Sequence, residues 1–116
     1  MLKTGAEHLE SLRDGRVVYI GGERVEDVTT HPAFRNGAKS IAAIYDAKAS
    51  PEGRDLLTYE DAGKRYSGYF LQARSRQDLE FRHKVHRAIA DMSYGMFGRS
   101  PDHVSSFVTR LSLIHI

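Results

Sequence analysis

The residues best equipped for chemistry lie together in Ser93-Tyr94-Gly95-Met96-Phe97-Gly98-Arg99-Ser100-Pro101-Asp102-His103. Aromatic rings, an arginine and a histidine surround a bend bounded by Gly95 and Gly98. Ser100-Pro101-Asp102 then reads as N-cap, first-turn proline and first-turn acid of a helix. A helix N-terminus presents unpaired N–H groups that favour anions, and Arg99 just ahead of it adds a fixed cation. A phenolate or carboxylate oxygen would be stabilised there. The competing reading makes Arg99 an exposed loop residue and places Tyr94, Met96 and Phe97 in the core. Spacing alone does not separate the two.

Three other constellations carry less. Glu80, His83 and His86 give Glu-x-x-His and His-x-x-His on one helix, the first a spacing used in di-iron bundles. Such bundles need a second copy and two further glutamates. Here there is one copy, flanked by Arg82, Lys84 and Arg87, so a polar helix face is the better reading and no metal is expected. The basic stretch from Arg74 to Arg87 also contains Asp78 and Glu80 and is amphipathic, which suits a surface helix better than a nucleic-acid reader. Gly21-Gly22 is followed by a strand-forming segment, so it reads as a hairpin turn and not as a phosphate loop.

The elements that must hold the Arg99 segment are mostly helical. Thr4 and Glu7 fit a capping box for a short helix carrying Leu9 and Leu12, closed by Gly15. Segments 16–20 and 23–28 read as a hairpin. Thr30-His31-Pro32 starts a helix with Ala38, Ile41, Ala42 and Tyr45 at helical spacing, running to about Ala49, and Ser50-Pro51-Glu52-Gly53 breaks it. A second β pair spans about 56–59 and 66–71, joined through Asp61-Ala62-Gly63-Lys64. Ser75 and Asp78 cap the longest helix, which carries Phe81, Val85, Ala88, Ile89, Met92 and Met96 down one side, with Gly95 and Gly98 loosening its end. A last helix places Val104, Phe107, Val108 and Leu111 inward. The chain is about half helix with two small β pairs.

Composition excludes several classes. At 116 residues there is room for one core, and 41% hydrophobic with 28% charged residues is ordinary for a globular domain. No apolar run is long enough to span a membrane, and the start lacks the apolar stretch of a signal peptide. With no cysteine there is no disulfide framework or thiolate site, so the cytoplasm is the expected compartment. Lys and Arg total 17 against 15 acids, and the two signs alternate along the chain. That favours a solvated surface over a nucleic-acid-tracking stripe.

Several stretches resemble the 4-hydroxyphenylacetate 3-monooxygenase oxygenase family. They are Asp14-Gly15-Arg16 through Tyr19-Ile20, Gly22-Glu23-Arg24-Val25, the run from Asp27 to Asn36 (Asp-Val-Thr-Thr-His-Pro-Ala-Phe-Arg-Asn), Tyr45-Asp46, Ser93-Tyr94-Gly95, and Gly98-Arg99-Ser100-Pro101-Asp102. The likeness runs in order from Thr4 to about Leu111 and extends to pyoverdin-chromophore biosynthesis oxygenases and 4-hydroxybutyryl-CoA dehydratases. It implies an acyl-CoA-dehydrogenase-like fold, of which residues 1–111 would be the mainly helical N-terminal domain and 112–116 an atypical tail, as a truncation or assembly artefact would leave it.

The resemblance implies a two-component aromatic hydroxylase. Reduced FAD, delivered by a separate flavin reductase, reacts with oxygen to a C4a-hydroperoxide, which hydroxylates a 4-hydroxyphenylacetate-like phenol ortho to its hydroxyl. Arg99 matches the arginine of the family's Arg-x-x-x-Tyr motif, so Arg99 and His103 are the expected catalytic pair, with Arg99, Ser100, Pro101, Asp102 and His103 as the substrate-binding stretch. His103 stands where the family has tyrosine, which leaves the identity of the phenol open. A further family histidine and most flavin contacts would lie beyond residue 116, so this stretch is expected to be too short to work alone and to belong to a homo-oligomer when full length. The alternatives are a dehydratase relative, weakened because its iron–sulfur cluster needs cysteines, and a stand-alone basic helical binding module.

Overall fold

The computed structural model describes residues 2–97, 104–105 and 107–109. Helix α1 (Gly5–Ser11) begins at Thr4, whose hydroxyl accepts the Glu7 N–H while the Glu7 carboxylate accepts the Thr4 N–H. This is the capping box expected from sequence. α1 lies on α2 (Arg35–Ala49) at very short range because its first residue has no side chain. A Cβ on Gly5 would sit 2.6 Å from the Ala42 carbonyl and 2.5 Å from Asp46 Oδ2, and the Gly5 N–H instead donates to Asp46 Oδ1 at 2.7 Å.

Between them, β1 (Val18–Ile20) and β2 (Glu23–Val25) form an antiparallel hairpin with Ile20 opposite Glu23. Gly21 and Gly22 take φ of 55° and 86°, the type I′ signature. Both strands are shorter than the sequence suggests. The second stops at Val25 because Asp27 gathers the chain behind it. Its carboxylate accepts from the N–H and hydroxyl of Thr29, and its carbonyl accepts from the N–H of Thr30 and of His31. For the same reason α2 starts at Arg35 and not at Thr30. Its N-cap is Phe34, which has no capping side chain.

Ser50 does not merely stop α2. Its side chain accepts the Gly53 N–H at 3.0 Å and Pro51 fills the first turn, so a further helix follows, α3 (Pro51–Leu57), where sequence had placed a break and a strand. β3 (Thr58–Asp61) and β4 (Lys64–Ser67) make the second hairpin through Ala62-Gly63. The strand expected to reach Leu71 ends early in a 3-10 turn, Gly68–Phe70. Helix α4 (Arg76–Met92) opens with the Ser75/Asp78 capping box.

The core gathers Ile44 of α2, Leu57 of α3, and Val85 and Ile89 of α4, with Ala47, Tyr69, Phe81, Ala88 and Phe97 packed around it. Gly68 lets the 3-10 turn press onto α4, since a Cβ there would meet Val85 Cγ2 at 2.7 Å and the Leu57 carbonyl at 3.0 Å. The architecture is mainly helical with two small antiparallel sheets, the fold class expected from sequence.

Candidate functional site

α4 closes in a way that aims the chain back toward the core. The Ser93 hydroxyl donates to the Ile89 carbonyl at 2.7 Å and accepts the Phe97 N–H at 3.2 Å. Tyr94 and Gly95 both take positive φ, 50° and 80°, and the Gly95 N–H donates to the Ala90 carbonyl. A left-handed tyrosine costs about 1 kcal/mol, and here the two Ser93 bonds hold it in place. The bend returns Phe97 to the core and leaves Tyr94 at 97% and Met96 at 81% exposure. Of the three residues that the competing reading put in the core, only Phe97 packs there, and Met96 lies past the end of the helix whose stripe it was expected to extend.

Arg99, Ser100, Pro101, Asp102 and His103 lie outside the described residues, as do Gly98 and Leu111. The backbone is helical again at 104–105 and 107–109. There Ser105 is buried, while Val104, Phe107 and Val108 stand about half exposed or more. The inward face assigned to this last helix is therefore corrected for those three residues. The core surface on α4 is already covered by Leu57 and the Gly68 turn, and the buried residue here is Ser105, which the apolar pattern did not mark.

Phe97 and Val104, the described residues flanking the Arg99 segment, share a groove with Ile41, Tyr45, Tyr69, Phe70 and Ile89. Its volume is about 270 Å³ and its walls are mostly aromatic and aliphatic, with Lys48 and Ser105 the polar side chains among them. That is below the roughly 300–1,000 Å³ of drug-sized ligand sites, ample for one phenol ring and too small for a flavin dinucleotide. The described residues do not by themselves make a flavin cradle.

Lys48 is the feature that sequence reasoning passed over. It falls at i+7 from Ile41 and i+3 from Tyr45, on the stripe that α2 turns inward, and it is only 5% exposed. A lysine in register with an apolar stripe was the available signal. Its Nζ donates to Tyr69 Oη at 3.1 Å and lies over the rings of Tyr45 (4.6 Å) and Tyr69 (5.1 Å). His8 stacks on the Tyr45 ring at 4.5 Å, and its pKa is lowered, first by burial and then by the charges of Lys3 and Lys48.

Glu80, His83 and His86 do not converge. Glu80 pairs with Arg76 at 2.9 Å, and the His86 ring stacks toward Tyr69. Among the described residues no group of three or more His, Asp or Glu side chains is placed to hold a metal ion, and no helix is long and apolar enough to cross a membrane.

The comparisons with known proteins converge on the family that the sequence motifs suggested. The profile of the 4-hydroxyphenylacetate 3-hydroxylase N-terminal family matches residues 4–113. The oxygenase component of 4-hydroxyphenylacetate 3-monooxygenase from Escherichia coli is 48% identical over 90% of this chain. The chain spans 21% of that relative's length. The crystal structure of such an oxygenase component, complexed with FAD and 4-hydroxyphenylacetate, superposes with a TM-score of 0.84 at 42% identity, covering 92% of this chain and 23% of that one. An oxygen-tolerant archaeal 4-hydroxybutyryl-CoA dehydratase from N. maritimus superposes less closely, with a TM-score of 0.66 at 26% identity over 78% of this chain and 18% of its own. With the helical N-terminal fold and a profile match over nearly its whole length, the chain belongs to the 4-hydroxyphenylacetate 3-hydroxylase N-terminal family.

Proposed function

We propose that this chain forms the N-terminal part of a flavin-dependent aromatic monooxygenase and supplies the wall that orients a phenol for ortho-hydroxylation. The observation that carries this reading is the aromatic groove bordered by Phe97 and Val104, the described residues flanking the Arg99–His103 stretch, in a chain whose family is named for hydroxylating 4-hydroxyphenylacetate. The volume of the groove suits one substituted benzene ring, and Tyr45, Phe70 and Phe97 among its lining offer aromatic contacts to it.

In this reading Arg99 holds the phenol oxygen with its planar fork and stabilises negative charge on it, and His103 gives or accepts one hydrogen bond beside it. The cap-proline-acid pattern of Ser100, Pro101 and Asp102 supports a helix start there that would fix where the arginine stands. Reduced FAD, supplied by a separate reductase, brings the oxygen-activating chemistry and is held mainly by parts of a longer, oligomeric polypeptide, in the cytoplasm. The dehydratase reading is weaker because this stretch offers no cysteine to an iron–sulfur cluster.

The test is Arg99→Lys in the chain joined to the C-terminal portion of a relative. Lysine keeps the charge and loses the fork, so hydroxylation should fall by roughly ten- to a thousandfold, the scale for losing one positioned donor. Oxygen consumption with reduced flavin should persist and be diverted to hydrogen peroxide. His103→Tyr should keep activity. An unchanged hydroxylation rate in Arg99→Lys would take Arg99 out of the site.

A further inference from the structure

The chain holds one asparagine, Asn36, and a glycine follows it. Both are exposed at the start of α2. Asparagine is a thermolabile residue, because the backbone nitrogen of the next residue can attack its carboxamide. Glycine in that next place has no Cβ to shield the nitrogen. A helix normally protects the pair, since it ties up the attacking N–H and holds the backbone away from ring closure. The first turn of α2 relaxes both protections.

Asn36 and Gly37 are the second and third residues of α2, where N–H groups find no carbonyl one turn back within the helix. The Arg35 N–H donates to the His31 carbonyl and that of Ala38 to Phe34, but among the described residues nothing accepts the Gly37 N–H. No hydrogen bond among them holds the Asn36 carboxamide either. A Cβ on Gly37 would meet nothing within 4 Å, so the nitrogen is open on that side. Phe34 at the N-cap gives no side-chain hydrogen bond and the first turn has no acid, so unwinding Asn36 gives up little. The Ser40 hydroxyl donates to the Asn36 carbonyl at 3.0 Å. That oxygen shares the negative charge once the Gly37 N–H is deprotonated, and the hydroxyl therefore stabilises the attacking anion. Asp14-Gly15 has the same glycine neighbour and is closed to this reaction. The Arg16 side chain holds its carboxylate and lowers its pKa to about 2, so at neutral pH it is an anion that resists a nucleophile.

We infer that Asn36-Gly37 is a site of spontaneous deamidation in the folded chain, and that the reaction resets the N-terminus of α2. The Gly37 nitrogen gives its proton to water or hydroxide and attacks Cγ of Asn36. The bond from Cγ to the side-chain nitrogen breaks, ammonia leaves, and a five-membered succinimide remains. Water then adds at either ring carbonyl and opens it to aspartate or to isoaspartate, whose main chain runs through the β-carbon. Each product adds one negative charge. Aspartate supplies the acid that the first turn of α2 lacks and firms the helix end. Isoaspartate puts an extra carbon into the main chain and breaks the helical register there. The change falls one turn ahead of Ile41, where α2 first meets the aromatic groove. The inference does not depend on the hydroxylase reading.

The experiment incubates the 116-residue chain in mildly alkaline buffer, folded and, in parallel, unfolded in concentrated urea. Intact mass follows the exchange of NH2 for OH, peptide mapping places it at residue 36, and an isoaspartate-specific carboxyl methyltransferase labels the isoaspartate. The folded chain should convert no more than about thirtyfold more slowly than the unfolded one, the scale for opening one uncapped helix turn. A larger ratio would overturn the proposal. Ser40→Ala should slow the folded chain about tenfold, the scale of one hydrogen bond to a charged group, and leave the rate in urea unchanged. A folded Ser40→Ala that converts as fast as the unmodified chain would take Ser40 out of the reaction. Gly37→Ala has open space to occupy and should lose the mass change over the same incubation. Conversion of that variant at the original rate would rule out attack by the residue 37 nitrogen. Asn36→Asp should raise the thermal midpoint by about 1–4 °C. An unchanged midpoint would overturn the effect on α2.

Discussion

The two hairpins of this chain turn in the same way and are anchored by opposite means. Gly21-Gly22 and Ala62-Gly63 both place two successive residues at positive φ, and both hairpins close without a bulge. At the base of β1–β2 the anchor is polar. Arg13, ahead of the hairpin, donates to Asp27 beyond it at 3.1 Å and to Thr29 Oγ1 at 3.1 Å, and Arg16 pairs with Asp14. At the base of β3–β4 the anchor is apolar: Leu57 precedes the hairpin at 2% exposure, Thr58 is buried, and Gly68 follows it against Val85. Turn residues therefore set that a hairpin forms, and what flanks it sets what holds it. Leu57→Ala should cost about 2–5 kcal/mol through the cavity it leaves, whereas Tyr19→Ala on the exposed first hairpin should stay within about 0.5 kcal/mol. Urea unfolding midpoints of the two variants check this. Equal losses would mean that the hairpins share one anchor.

The turns themselves offer a smaller, signed test. Ala62 holds φ at 48°, where a Cβ is unfavourable by about 1–2 kcal/mol, and Gly22 holds 86° without that cost. Ala62→Gly should stabilise by up to about 1 kcal/mol, and Gly22→Ala should destabilise by about the same amount. If both changes destabilise, at least one turn departs from the geometry it shares with the other.

The asymmetry between the hairpins also marks how far sequence reading reached. The capping boxes at Thr4 and Ser75, both hairpins and the Val85/Ile89 face of α4 were legible because each rests on a local pattern. Ser50-Pro51-Glu52 carries the same cap-proline-acid signature that was used to start a helix at Ser100, and it starts one here too. Reading it as a break gave more weight to the end of α2 than to the start of α3. The Asp27 turn was hidden because one carboxylate and one carbonyl organise three residues, Thr29, Thr30 and His31, with no periodic pattern. In the groove, Phe97 was visible as an aromatic near a bend, while Lys48 showed only as a lysine in register with the α2 stripe, a signal that does not say it will be buried under two tyrosines.

Acid should separate the hairpins most finely. The Asp14 pKa is lowered to about 2 from an ordinary 3.8, chiefly by its hydrogen bonds from the Arg16 side chain, and that of Asp27 is lowered chiefly by the Thr29 hydroxyl, then its N–H, with Arg13 adding to it. For a carboxylate whose folded value is depressed, the stabilisation is complete above the unfolded value near 3.8 and is lost as pH falls through the folded value near 2. The polar anchor of β1–β2 should thus weaken between about pH 4 and pH 2. The second hairpin has its own ion pairs, Arg65 with Asp55 and with Glu60, but the two carboxylates are 82% and 60% exposed, and such pairs contribute little. Amide exchange along an acid titration should show Val18 and Val25, a hydrogen-bonded pair of the first hairpin, losing protection in that window while Tyr59 and Tyr66 keep theirs until the core unfolds. Salt near 1 M, where screening acts over about 3 Å, should mimic part of the effect at neutral pH and only on the first hairpin. Asp14→Asn and Asp27→Asn together should remove the window and leave a chain whose first hairpin is equally loose at pH 2 and pH 7. If the two hairpins lose protection together in the unmodified chain, the polar anchor is not what holds β1–β2, and Val25, its one buried strand residue, becomes the better candidate.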